Sequence, residues 1–245
     1  MLVTGAGGGV GRGIALAAAA QGAHVVVTSR GENGAETAAL ITARGDTAEW
    51  VRCDVTRQSE VVAAIDAAVA STGGLDALVH NATSHKSSEP ARVEAVDREL
   101  WDAHAGVSLR AAYYCAVAAL PHLEARRGRL LLMTSPAGME GSANLPVYGI
   151  VKGALRGFAK SLAREWGPLG VTVNLVSPLA ATPALEQAMV EDPAMEARLA
   201  ARIPLGRLGD SEADIGPVVA FLLGDGAGYI TGQTVVVDGG RFLGL

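Results

Sequence analysis

Met1-Leu2-Val3-Thr4-Gly5-Ala6-Gly7-Gly8-Gly9-Val10-Gly11 is the stretch on which the fold turns. Its first apolar residues read as the end of a strand. The glycine-rich turn follows at once, and a run of small residues from Arg12 to about Gln21 reads as a helix. Strand, glycine-rich turn and helix in direct succession form a cradle for phosphate. Glycines let backbone approach the ligand closely, and the helix start offers free N–H groups and the positive end of its dipole. The spacing is T-G-x-x-x-G-x-G; Val10 and Arg12 break either register of G-x-G-x-x-G. The plain alternative is a glycine-rich loop with no ligand, against which stand the flanking strand and helix.

The rest of the chain repeats this alternation. Strands are expected at 1–4, 24–28, 48–53, 75–80, 129–134, 171–176 and 234–237, and helices at 9–21, 34–44, 57–72, 97–125, 147–166 and 212–224. Strands separated by helices argue an α/β fold with a parallel, doubly wound sheet. At 245 residues the chain suits one such domain, and no linker marks a second. Its 49% hydrophobic content is mostly Ala, Val and Leu, as expected for a sheet covered on both faces. The net charge of −5 gives no reason to expect nucleic acid or an anionic membrane as partner. Cys53 and Cys115 cannot make a disulfide framework and read as buried thiols of a reduced, cytoplasmic compartment. The five histidines do not cluster at metal-ligand spacing, so no metal site is read. No signal peptide is seen, and the Ala-rich run at 15–20 is too short to span a bilayer.

Tyr148-Gly149-Ile150-Val151-Lys152 carries the chemistry. A spacing of four puts Tyr148 and Lys152 on one face of a helix, a turn apart. An ammonium beside a phenol stabilises the phenolate, so the Tyr148 pKa is expected to fall below its ordinary value of about 10. Such a group can trade a proton near neutral pH. Ser135, thirteen residues upstream, can hydrogen-bond the same oxygen. Any helix can carry a Tyr/Lys pair by chance; a nucleotide site elsewhere in the chain gives the pair its meaning.

Together these elements resemble the short-chain dehydrogenase/reductase family over nearly the whole chain. The resemblance rests on T-G-x-x-x-G-x-G at 4–11, Cys53-Asp54-Val55, Asn81-Ala82, Ser135, Y-x-x-x-K at 148–152, Val173-Asn174 leading to Ser177-Pro178, and Ile230-Thr231-Gly232 leading to Val237-Asp238-Gly239-Gly240. It implies a single Rossmann-type NAD(P)-binding domain over 1–245, and an oxidoreductase that interconverts a ketone and a secondary alcohol by hydride transfer. Catalytic roles are implied for Ser135, Tyr148 and Lys152: the first two hold the carbonyl oxygen, Tyr148 delivers the proton, and Lys152 holds the ribose and tunes Tyr148. Cofactor contacts are implied for Gly5, Gly9, Val10, Gly11, Asn81 and Ala82, besides Tyr148 and Lys152. Asp54 is expected to accept from the adenine amino group, Val55 to offer its backbone, and Pro178 and Thr182 to meet the nicotinamide amide. Relatives usually carry several residues before the first strand, so a short first strand or a late-placed start is expected here.

Cofactor choice rests on the end of the second strand, Val25-Val26-Val27-Thr28-Ser29-Arg30. An NAD-preferring site places Asp or Glu there for the ribose 2′-OH. Ser29 stands in that place, and Arg30 follows with a guanidinium suited to a 2′-phosphate. NADP(H) is therefore favoured over NAD(H), although Gly8 stands where many NADP-preferring relatives carry a second basic residue.

Three departures from the family pattern stand out. His80-Asn81-Ala82-Thr83 replaces N-N-A-G, so either the backbone shifts or Thr83 lines the site. Ser108 stands where the family has a fourth catalytic Asn, and its shorter hydroxyl can still donate and accept. Ser177-Pro178-Leu179 lacks the usual Gly after Pro. The stretch 179–210, with Pro183, Pro193 and Pro204, reads as a helical insertion over the substrate cleft, and Met139, Leu145, Leu179, Leu185 and Met189 suggest an apolar lining.

Two other readings stay open. One is a 3-oxoacyl-[acyl-carrier-protein] reductase, for which Arg126, Arg127 and Arg129 could give part of a basic rim. The other is a dinucleotide-binding sensor without turnover. The expected partner is a small carbonyl or alcohol substrate. A homotetramer is implied, pairing through the helices at 97–125 and 147–166 by faces carrying Ala111, Ala112, Cys115, Ala118 and Ala119 and Ala154, Phe158 and Leu162; burial of these residues against the sheet is the alternative.

Overall fold

A computed structural model describes residues 1–182, 185, 189–192 and 194–243. Seven strands form one parallel sheet in the order β3-β2-β1-β4-β5-β6-β7. They are β1 Leu2–Thr4, β2 Val25–Ser29, β3 Ala48–Arg52, β4 Ala77–His80, β5 Arg129–Met133, β6 Thr172–Pro178 and β7 Thr234–Val237. The chain builds outward from β1 to β3, then restarts beside β1 with β4 and runs the other way. Such a switch point leaves a crevice beyond the carboxyl ends of the strands. β1 is short, as expected, and pairs with β2 and β4 through all three residues.

The strands are apolar on both sides because both faces are covered. Leu2, Leu78, Leu130 and Leu132 face one core, which takes Ile65 from α3 (Gln58–Thr72) and Leu155 from the long Pro146–Trp166 helix. Val3, Val79 and Leu131, their neighbours in the alternation, face the other. That second core takes Ile14 from α1 (Gly9–Ala19) and Ile41 from α2 (Asn33–Ala43).

The helix expected at 97–125 is three contiguous pieces. α4 (Arg98–His104) opens on Asp97, whose carboxylate accepts from Leu100 N at 2.7 Å. A π-helical stretch, Ala105–Arg110, follows, and α5 is Ala111–Arg126. Ala111, Ala112, Cys115 and Ala119 face the sheet and are fully buried there, and Leu162 joins the same core. These residues are therefore core rather than a subunit-pairing face. Tyr113 and Val117 point outward instead.

A second π-helical stretch, Ser211–Ile215, leads into the Gly216–Leu223 helix. It crosses α1 so closely that a Cβ on Gly13 would lie 2.3 Å from the Ser211 carbonyl carbon. Of the insertion expected at 179–210, a helix at Ala194–Ala200 is described; Pro183 and Pro193 lie outside the described residues. Among the described residues no helix is long and apolar enough to cross a membrane.

Candidate active site

A cavity of about 1000 Å³ opens at the switch point. Every residue expected at the site lines it: Gly5, Gly9, Val10, Gly11, Ser29, Arg30, Asp54, Val55, Asn81, Ala82, Ser135, Tyr148, Lys152, Pro178 and Thr182. The glycine-rich turn fits a dinucleotide. Gly5 and Gly9 have φ of 65° and 51°, in the left-handed region that favours glycine. A Cβ on Gly5 would come 2.8 Å from Ala82 Cα, whereas one on Gly8 would meet nothing within 4 Å. The turn is thus tight against β4 and open toward the crevice. No side chain caps α1, so its first N–H groups are left for an anion. Asn81 holds the turn from behind, its amide donating to the carbonyls of Thr4 and Gly5 at 3.1 and 3.0 Å.

At the far end Ser29 is committed. Its hydroxyl donates to the Gly31 carbonyl at 2.6 Å and accepts from Trp50 Nε1 at 2.9 Å. The Arg30 side chain is exposed beside it. Asp54 accepts twice from Thr56 through one oxygen. These two bonds and the nearby charges of Arg30 and Arg57 outweigh its burial and lower its pKa. Asn33 also lines this end; nothing in its sequence context marked it.

Ser135 follows β5, and Tyr148 and Lys152 project from the Pro146–Trp166 helix. Lys152 is buried, with Nζ donating to the Met133 carbonyl at 2.8 Å and lying 5.6 Å from the Tyr148 ring centroid. Burial pushes its pKa down to about 8. The expected fall in the Tyr148 pKa is not what the geometry gives. Burial raises it, and the Ser135 hydroxyl alone pulls the other way. The reason is positional: the ammonium spends a donor on β5 and faces the ring rather than the hydroxyl.

The remaining walls are more polar than expected. Leu145 and Leu179 line the cavity, but Met139, Leu185 and Met189 do not. Thr83, Ser87, Ser88, Ser142 and Arg202 do, and Arg241 reaches across to Glu140 at 3.8 Å. Thr83 therefore lines the site. Arg126, Arg127 and Arg129 are far from it. Arg126 and Arg127 precede β5 and Arg129 opens it, while Ser135 follows it, and a strand of this length separates them by about 17 Å. Arg126 also donates to the Gly73 carbonyl, and Arg129 to that of Arg127.

Residues 5–241 match the family model described as enoyl-(acyl carrier protein) reductase. The chain is 35% identical over 243 residues to the 3-oxoacyl-[acyl-carrier-protein] reductase of Escherichia coli, covering 99% of this chain and 96% of that protein. The structure of a gluconate 5-dehydrogenase from Burkholderia cenocepacia, in complex with NADP and tartrate, superposes with a TM-score of 0.90 at 30% identity, over 100% of this chain and 95% of that one. A short-chain type dehydrogenase/reductase from Mycobacterium ulcerans does so with a TM-score of 0.90 at 30% identity, over 98% and 88%. The chain belongs to the short-chain dehydrogenase/reductase family. It is an oxidoreductase that interconverts ketone and alcohol with a nicotinamide dinucleotide.

Within this family His80 is a departure with a structural use. The Thr4 hydroxyl accepts from Asn81 N and Ala82 N at 3.1 and 3.2 Å, so its own proton goes to His80 Nδ1 at 3.1 Å. Nε2 then carries the ring proton and donates to the Ser108 carbonyl at 3.1 Å. One neutral imidazole thus ties β1, β4 and the π-helical stretch. Burial above all, with the Lys152 charge, lowers its pKa to about 4. The unfolded chain takes up this proton at the ordinary 6.5, the folded chain only near 4. Stability is therefore lost as pH falls from 6.5 toward 4, by on the order of 3 kcal/mol. Denaturant titrations across this range should show that slope, and His80→Asn should flatten it. An equal slope in the variant would mean that His80 is not the group responsible.

Proposed function

We propose that this single NAD(P)-binding domain is an NADP(H)-preferring ketone reductase and secondary-alcohol dehydrogenase, with Tyr148 as acid/base. The observation that carries the reading is that Ser135, Tyr148 and Lys152 line the same cavity as the uncapped helix start and its glycine-rich turn. When bound, the nicotinamide supplies or accepts the hydride. Gly9, Val10 and Gly11 would receive the pyrophosphate, Asp54 and Val55 the adenine, and Pro178 and Thr182 the nicotinamide amide. Ser135 and Tyr148 aim two hydroxyls at the substrate oxygen, where negative charge grows during reduction. A buried phenol stays protonated at neutral pH, so Tyr148 is ready to donate. Lys152, whose Nζ lies 5.6 Å from the ring centroid, would hold the ribose hydroxyls of the bound cofactor.

Support for NADP(H) comes from the absence of a carboxylate at the end of β2 and from the exposed Arg30 beside the cavity, together with the NADP bound by the Burkholderia relative. The reading as an acyl-carrier-protein reductase rests on sequence relatives, since the three arginines that could have made a basic rim stand at the other end of β5. A homotetramer is supported by outward-facing Tyr113 and Val117 on α5 and Ile150 on the next long helix, and by Tyr229 and Leu243, exposed on either side of the edge strand β7.

Tyr148→Phe should remove nearly all turnover and leave cofactor affinity close to that of the unmodified protein, read by reduced-cofactor absorbance and by fluorescence titration. Near-normal turnover would sink the mechanism.

The preference for NADP(H) should reverse when Ser29→Asp is combined with Arg30→Ala. A new carboxylate binds the free 2′-OH and repels the phosphate, and the phosphate loses its guanidinium. A hydrogen bond to a charged group is worth about 1.5–3 kcal/mol, or roughly ten- to a hundred-fold. Ratios of kcat/KM for the two cofactors should swing at least that far; an unmodified protein that already prefers NAD(H) refutes the assignment.

Light scattering at micromolar concentration should return the mass of four chains, and Tyr113→Asp should lower it. A monomer in the unmodified protein would end the tetramer proposal.

A further inference from the structure

Two buried polar atoms on the segment leading into α5 have no partner among the described residues: His104 Nδ1 and Ser108 Oγ. His104 is 2% exposed and Ser108 0%. They lie four positions apart, at the end of α4 and within the π-helical stretch that follows. A buried donor or acceptor left unpaired is costly, so each asks for an account. The pair is outside the cavity wall, so it does not bind substrate directly. His104 by itself touches the acid/base. The His104 ring meets Tyr148 edge-on, with centroids 6.0 Å apart and planes at 63°.

The charged and titratable surroundings of His104 are few. From the Tyr148 helix, Lys152 faces it; from the segment after β4 come Glu89, His85 and the Lys86 backbone carbonyl. Burial and then Lys152 lower its pKa, while Glu89 and the Lys86 carbonyl pull it up.

We propose that His104 is a positioning residue for Tyr148: as a neutral imidazole it fixes the phenol edge-on beside Lys152, and as a cation it gives up that contact. This rests on the oxidoreductase reading above. The neutral ring supplies the edge-to-face contact. A proton taken from water sets a second cation near Lys152, where little solvent screens the two. The protonated ring is then drawn toward Glu89, and Tyr148 loses its support. No substrate bond changes in this step; the proton returns to water when pH rises.

The direction of the reaction makes this testable. Reduction uses Tyr148 as an acid, so Tyr148 by itself gives a reduction rate that holds or rises toward low pH. A loss of rate on the acid side in this direction reports a different group. We expect kcat for ketone reduction with NADPH, measured from about pH 8 to about pH 5, to fall below the ordinary histidine value. His104→Phe keeps an aromatic ring against Tyr148 and removes the titration. Its acid limb should vanish, with the KM for NADPH unchanged and kcat at neutral pH lowered by up to about tenfold through loosened geometry. His104→Gln, which restores a polar atom without a titration, should also lack the limb. A limb that survives in either variant, or that the unmodified protein lacks, overturns the proposal. NMR of the NADP-bound protein decides the matter without turnover. The His104 ring should titrate below its ordinary value, and the Tyr148 ring signals should move with the same midpoint. Tyr148 signals blind to that titration would overturn the inference even in an active enzyme. Normal titration coupling with no turnover on any ketone would instead count against the oxidoreductase reading.

Discussion

The Thr4 hydroxyl fixes where the site opens. It accepts two backbone N–H groups from the end of β4 and gives its proton to His80, so the carboxyl ends of β1 and β4 are tied at the switch point of the sheet. The glycine-rich turn leaves β1 from that knot, and Ala82 leaves β4 close enough to forbid a side chain on Gly5. His80 carries the tie onward to the Ser108 carbonyl, and so to the segment beneath Tyr148. One chain of hydrogen bonds therefore sets both the phosphate end and the chemical end of the crevice. Thr4, His80 and Ser108 are buried, where a lost partner costs most.

Charge at the chemical end is governed by the same burial. Lys152 sits against β5 with a carbonyl for one of its donors, which depresses its pKa without neutralising it at pH 7. The two histidines nearest this ammonium are both kept neutral, in part by its field. Tyr148 is pushed toward the protonated form for the same reason that Lys152 is pushed toward the unprotonated one: each is harder to charge away from water. Burial thus drives the two pKa values apart, the phenol's upward and the ammonium's downward.

The sheet was legible because its strands are short runs rich in Val, Leu and Ala between helical stretches, and all seven fall within a few residues of their expected places. The residues that gather in the cavity were legible because their spacing is set by turns and helix faces, which are local. What failed was not local. Ala-rich α5 looks apolar on every side, so its period does not say which face meets the sheet; Ala111 and Cys115 turned inward and Tyr113 outward. Arg126 to Arg129 lie near Ser135 in sequence, but one strand intervenes and carries them to the opposite edge. The polar contact between His80 and Ser108 joins residues 28 apart, and neither residue's neighbours announce it. The Tyr148 pKa was misjudged because the spacing of Tyr148 and Lys152 gives their distance along the helix, not which carbonyl takes the ammonium.

Both π-helical stretches stand where a helix must come unusually close to the site's framework. Ser211–Ile215 lies backbone to backbone on α1 at Gly13, the helix that would receive the pyrophosphate, and Asp210 caps it by accepting from Glu212 N and Ala213 N. Ala105–Arg110 lies beneath Tyr148 and presents the Ser108 carbonyl to His80. A π turn admits an extra residue and frees a carbonyl from the regular ladder. In the second case the stretch carries the Ser108 carbonyl that His80 takes. A change that moved the stretch would cost the buried imidazole its acceptor. The irregular segment and the unusual histidine therefore stabilise each other, and a substitution at either one should be read as a change to both.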